Sequence, residues 1–253
     1  MDHQHISSCR TGHDMRTFRL LDLTLPFPAE NLALDEVLLE ELDERGGAPI
    51  LRFWESDCPF VVLGRASRVA DDINLAACEK DDLPILRRAS GGGTVLQGPG
   101  CLSYAVVLPL DWHPDLASIR TTNRFILERI AVALRQWEPT TSFRGISDLA
   151  IGDRKISGNA QRRTRHALLF HGTILHGMRA DLVARYLKHP SKQPDYRLDR
   201  PHGTFLRTLN APPQAIKQAI ASAWNAEPTD SEWPMARMPG MIAAIQARSR
   251  EES

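Results

Sequence analysis

The amino-acid sequence predicts an α+β fold with a mixed sheet. Two observations carry this. Several strand-like stretches follow one another with only a turn between them, so they pair locally and do not alternate with helices as a doubly wound parallel sheet requires. The glycine-rich stretch RRASGGGTVLQGPG (87–100) leads from one strand into another and not into a helix.

Residues 1–15 are polar and read as a disordered tail; His3, His5, Cys9 and His13 there carry metal-ligating side chains, but nothing preorganises them. FRLLDLTL (18–25) reads as the first strand. NLALDEVLLEELDERGG (31–47) reads as a helix with Asn31 as N-cap, Gly46 and Gly47 as its stop, and Leu34, Val37, Leu38 and Leu42 on one face. PILRFWES and PFVVLGR follow as short strands, then PILRRAS running into the glycines and GCLSYAVVLPL leaving them. PDLASIRTTNRFILERIAVALRQW (114–137) has Ile119, Phe125, Ile126, Ile130 and Leu134 at helical spacing and predicts a long helix with these inward. DLAIGDRKISGNAQ (148–161) reads as a hairpin turning at Gly152-Asp153, and HALLFHGTIL (166–175) as a further strand. DLVARYLKH and PPQAIKQAIASAWNA predict helices, the second opened by Pro212 and Pro213. The body thus spans 16–225. Residues 226–253 are a weakly patterned C-terminal extension with a helix near Gly240 to Ser249.

Lys plus Arg and Asp plus Glu are 31 each, so the net charge is zero. That argues against nucleic acid or a membrane surface as partner, whose capture draws on bulk positive charge. The four cysteines are widely separated, without C-x-x-C spacing, and fit reduced thiols in a cytoplasmic protein. No apolar run is long enough to span a membrane.

Gly91, Gly92 and Gly93 admit several readings. No Lys follows them as a P-loop demands, and no helix follows as a dinucleotide fingerprint demands. A flexible connection remains open, as does a loop whose bare N–H groups wrap a phosphate. Arg87 and Arg88 suit the second, since guanidinium forks match phosphate oxygens; strand alternation lets at most one face such a site. Lys155 after a Gly-Asp turn reads alone as an exposed hairpin residue, but Ser157-Gly158-Asn159 follows it, a small-residue stretch where an acyl chain could pass. Gly172 inside a strand marks a close approach, and His171 reads as a hydrogen-bonded structural histidine in preference to a base.

NLALDE, RRASGGGTV, SDLAIGDRKISGNAQ and FHGTIL, in this order, resemble the lipoate–protein ligase A branch of the biotin/lipoate ligase superfamily, over Phe18 to Leu209. The resemblance implies that family's α+β catalytic fold, a mixed sheet flanked by helices, over 16–225. It implies that lipoate or octanoate reacts with ATP to give an enzyme-bound acyl-AMP. The acyl group then passes to a lysine of a lipoyl carrier domain. By the resemblance Lys155 is the catalytic lysine, contacting both acyl carbonyl and phosphate. Arg87, Gly91, Gly92, Gly93, Thr94 and Val95 belong to the nucleotide loop, and Asp148 lies near Mg2+ and the phosphates. Arg88, Ser90, Gly91, Ser157, Gly158, His171, Gly172 and Thr173, with Lys155, line the lipoate site. The stretch after Leu209 is short for the additional C-terminal domain of many lipoate ligases, so the resemblance implies a single-domain form. A separately encoded accessory subunit is then a candidate partner. The polar 192–205 segment could contact such a subunit or the carrier, or be a solvated loop.

Related octanoyltransferases use a cysteine thiolate instead. At the two places where such enzymes carry it, this sequence has Leu169 and Phe170, and Thr141 and Ser142. Cys101, near the glycine loop, reads as a small buried strand residue. ATP activation is therefore the expected mechanism. A transferase with a pre-activated donor and a non-catalytic lipoyl-binding protein are the alternatives, and the glycine loop lacks the GRGR pattern of a biotin ligase.

Overall fold

The computed structural model describes residues 17–190, 192–229 and 232–250. The polar tail expected over 1–15, with its candidates His3, His5, Cys9 and His13, lies outside them. The elements run β1 (Phe18–Asp22), α1 (Pro28–Arg45), β2 (Ile50–Trp54), β3 (Phe60–Leu63), α2 (Val69–Asp72), α3 (Leu75–Lys80), β4 (Ile85–Arg87), β5 (Val95–Gln97) and β6 (Cys101–Pro109). Then come α4 (Ile119–Leu134), β7 (Thr141–Arg144), β8 (Asp148–Ile151), β9 (Arg154–Arg163), β10 (Ala167–Leu175), α5 (Ala180–Tyr186), α6 (His202–Phe205), α7 (Pro213–Ala223), β11 (Ala226–Pro228) and α8 (Met238–Arg250).

Among the described residues the main sheet has the order β11-β1-β2-β6-β10-β9-β8-β7, and a small sheet has the order β4-β3-β5. The main sheet is mixed: β1 runs parallel to β11 and β2, and the remaining neighbours are antiparallel. Both faces of its centre are covered, which is why β6 reads as a strongly apolar strand and is buried on both sides. On one face Leu102, Tyr104, Val106 and Leu108 pack with Ile126, Ile130, Leu134, Ile216 and Ile220 of α4 and α7. On the other, Ala105, Val107 and Leu169 pack with Leu34, Val37 and Leu38 of α1, with Phe60 and Val62 of the small sheet, and with Ile245 of α8.

Two local expectations are corrected. Asn31 is not the N-cap: α1 starts at Pro28, with Phe27 as cap residue and its N–H donated to Glu30. Asn31 is buried in the helix, bonded to the backbone of Leu25 and Phe27. Ile119 is exposed, because Ser118 caps α4 and puts Ile119 in its first turn, before the buried stripe begins. Within the C-terminal extension, β11 extends the main sheet, and Met238 and Ile245 of α8 are buried against α1.

Candidate functional site

Directly opposed residues of paired strands share a face. On β9, Ala160 pairs with His171, which pairs with Ala105; Thr173 pairs with Ser103. These small side chains floor one side of the main sheet, with His171 among them. At the β8–β9 end the register slips after Leu149: Leu149 faces Ser157, yet Ala150 faces Lys155. Ile156 is the extra residue of this bulge and is buried in the core with Leu149. The bulge turns Lys155 onto the face of Ala150, Asp148 and Gly158. There the Lys155 ammonium stands 2.7 Å from Asp148 Oδ1, the pair mostly sheltered. Gly158 leaves the room: a Cβ there would lie 2.9 Å from Lys155 Nζ. The other Asp148 oxygen accepts from Tyr196 OH at 2.9 Å, and burial with the nearby carboxylate pushes the Tyr196 phenol well up.

Tyr196 belongs to the segment whose placement the sequence leaves open. Its ring packs on Phe205 and under the Arg144 guanidinium. Arg200 donates to Asp153 and to Tyr196 O, while Arg154 and Lys155 bond the backbone of Leu206 and Arg207. The segment therefore caps the β8–β9 hairpin.

The glycine loop closes over the same face farther along β9. Gly92, at φ +86, would set a Cβ 3.6 Å from Ala160 Cβ. A rise of about 3.3 Å per residue over five residues puts Ala160 at most about 16 Å from Lys155 along the strand, and the bulge shortens that. Arg88 organises the loop from beneath: its guanidinium donates to the carbonyls of Gly91, Gly93 and Val62 and to Ser90 Oγ. Burial lowers it to about 10, so it stays charged at neutral pH. Ser90 Oγ lies 2.6 Å from His171 Nε2. Burial and the Arg88 charge push His171 down to about 3, so it is a neutral hydrogen-bonding group and no base at neutral pH. Thr94 donates to Asp72 at 2.6 Å. The outer sides of Gly91 and Gly93 are open, and Val95 continues into β5.

Three expected site residues are elsewhere. Arg87 is held by the carbonyls of Gly64, Arg65, Ser67 and Arg248, on the other side of β4 from the Arg88 guanidinium. Ser157 and Gly172 face the opposite side of the main sheet, because alternation along β9 and β10 sends them there. Ser157 bonds Asn159, whose amide oxygen also accepts from Tyr104 OH and whose NH2 donates to Ser147 O. Gly172 is glycine because a Cβ would lie 1.6 Å from Asn159 Oδ1. Tyr196 is the residue that the sequence reading misses: it lies in the segment left open, and its partner Asp148 is remote in sequence.

Among the described residues no three His, Cys, Asp or Glu side chains converge on a metal site, and both Asp148 oxygens are engaged. A resident metal held by protein ligands does not fit here. Of the thiols, Cys101 is pushed up to about 12 by burial and Cys78 is also raised; Cys58 is exposed beside Ser56.

Residues 27–222 match the family described as "Lipoyl protein ligase A/B catalytic domain". Octanoyltransferase LipM of Carboxydothermus hydrogenoformans is 29% identical over 201 residues, 73% of this chain and 74% of that protein. The probable lipoate-protein ligase A of Mycoplasma pneumoniae is 30% identical over 167 residues, 65% of this chain but only 48% of that protein. A bi-partite lipoate protein ligase of Thermoplasma acidophilum, solved in a study with its E2 lipoyl domain, superposes with a TM-score of 0.77 at 22% identity. The superposition covers 93% of this chain and 95% of that one, and shows a common fold.

Proposed function

The chain belongs to the lipoyl protein ligase A/B catalytic-domain family, and from that premise we propose that it joins lipoate or octanoate to a lipoyl carrier domain through an acyl-adenylate. The observation that carries this reading is the Lys155 ammonium, set beside Asp148 on a small-residue face that lacks a reactive thiol among the described residues. In the first step a carboxylate oxygen of the acid attacks the α-phosphorus of ATP, and pyrophosphate leaves. Two anions approach, so fixed positive charge and oriented N–H groups must offset their repulsion. Lys155 supplies a compact charge, and the Gly91–Gly93 backbone, held by Arg88, supplies donors. Mg2+ would arrive bound to ATP, as part of the substrate. In the second step the carrier's amine attacks the acyl carbon, the nitrogen loses a proton and AMP leaves. The enzyme needs no nucleophile, because holding the amine beside the mixed anhydride does most of the work.

The LipM relatives favour a second reading, transfer from a pre-activated acyl donor. Ser142 pairs with Ala150 and so shares the Lys155 face, where a nucleophile would stand. To act as a nucleophile it would need a basic partner to take its proton, and none is hydrogen-bonded to it among the described residues. The bi-partite Thermoplasma ligase supports an accessory subunit as partner in the first step, and a lipoyl domain as acceptor. Among the described residues no helix is long and apolar enough to cross a membrane.

Mass spectrometry of a lipoyl domain decides between the two. A lipoyl adduct formed from free lipoate and Mg-ATP, with the accessory chain added where needed, is the expected result. An adduct formed only from an octanoyl carrier protein, with free acid and ATP inert, overturns the adenylate route.

A further inference from the structure

Helix α8 lies beyond the family-matched residues 27–222, yet its last turn is tied to the glycine loop. Strand β4 pairs with β3 on one edge. On the other, the Arg87 N–H donates to Ser249 Oγ at 2.9 Å, and that hydroxyl donates to Ile245 O within α8. Arg87 Nε donates to Arg248 O at 3.2 Å. The guanidinium thereby satisfies a carbonyl in the last turn of α8 and sets positive charge at the negative end of the helix.

A second tie runs through Glu36. Arg248 donates to both Glu36 oxygens, at 2.7 and 3.0 Å, a two-pronged grip on a buried carboxylate. Glu36 also accepts from Arg162 of β9 at 3.0 Å and from the Ala89 N–H at 3.2 Å. One carboxylate of α1 thus holds the first residue of the loop, the strand beneath it and the C-terminal helix. The two ties meet two residues apart at the loop's entry, on Arg87 and Ala89.

We infer that Arg248 and Ser249 are positioning residues for the glycine loop, and that α8 is the brace setting where Ala89 to Gly93 lie over β9. The consequence for nucleotide binding rests on the adenylate reading above; the brace itself does not. Without Arg248 the Glu36 carboxylate loses its two-pronged anchor and holds the Ala89 amide less firmly, so the loop's entry loosens, while Arg162 still pairs with Glu36 and the body stays folded.

Arg248→Ala, Arg248→Lys and Ser249→Ala test this through amide hydrogen exchange of 85–90 in the ligand-free protein, with α4 as internal reference. Loss of a charge-assisted pair is expected to speed exchange at 87–89 by about tenfold in Arg248→Ala, with α4 unchanged and partial recovery in Arg248→Lys. The KM for ATP should rise by a similar factor with kcat within about twofold. Unchanged exchange at 87–89 in both Ala variants, or equal acceleration in α4, overturns the brace. Wild-type protein that shows no ATP-dependent turnover overturns the adenylate reading alone, because the exchange measurement needs no ligand.

Discussion

Gly64→Ala puts the loop's placement to a direct test. Gly64 closes β3, and a Cβ built on it would lie 2.0 Å from Gly92 O and 3.0 Å from Gly92 C. Both are backbone atoms and cannot rotate away. Packed proteins do not bring a Cβ within 3.0 Å of a heavy atom, so the loop must retreat by at least the missing 1.0 Å. The retreat is feasible, since the outer sides of Gly91 and Gly93 are open. It nonetheless pulls against the Arg88 bonds to Gly91 O and Gly93 O. The stability cost should be that of modest overpacking, about 1–3 kcal/mol. The catalytic cost should be larger, because displacing positioned groups by about 1 Å can lose ~10²-fold. Steady-state lipoylation of a lipoyl domain, with a thermal melt on the same preparation, reads both. A folded Gly64→Ala protein with kcat/KM within twofold of wild type would refute the idea that the loop's backbone acts in the reaction.

Lys155→Ala is expected to lower acyl-adenylate formation by about 10²–10³-fold, measured by lipoate-dependent pyrophosphate exchange, through loss of one key electrostatic group. The fold should survive, since Asp148 keeps Tyr196 OH and Lys155 contributes no core side chain; far-UV circular dichroism checks this. Gly172→Ala is a structural control: its Cβ would collide with Asn159 Oδ1 and lie 2.9 Å from Gly158 O, so a loss of about 1–3 kcal/mol and a melting drop of several degrees are expected. His171 links stability to pH. Its folded value near 3 lies below the ordinary 6.5, so the unfolded chain binds the extra proton and stability falls as pH drops from 6.5 toward 3. In His171→Gln that stretch of the stability–pH curve should be shallower; an unchanged slope counts against a buried neutral imidazole.

Much of the fold was legible because local rules decided it. The two-residue turn at Gly152-Asp153 forms as its residues suggest, with Gly152 at φ +63. The doubly buried β6 announced itself by a strongly apolar run. Errors arose where a residue's role depends on remote neighbours. Asn31 has the chemistry of an N-cap, but Pro28 begins the helix first and Asn31 instead receives the Arg52 guanidinium, with Asp35 beside it. Ile119 has the spacing of a core residue, but it precedes the turn where α4 meets the sheet.

Residue chemistry and order along the chain, by themselves, determined the α+β class and the strand-to-strand glycine loop, which follow from side-chain type and short spacing; Lys155 as the candidate charge came from the resemblance to the ligase family, since alone it reads as an exposed hairpin residue. Tertiary structure alone decided which way the neighbours face. Of two adjacent arginines, Arg88 turned under the loop and Arg87 to the end of α8; a bulge at Ile156 brought Lys155 to Asp148 and left Ser157 behind the sheet. In a pleated strand one residue of register exchanges the two faces, and that register is set by pairing with strands and helices far away in sequence.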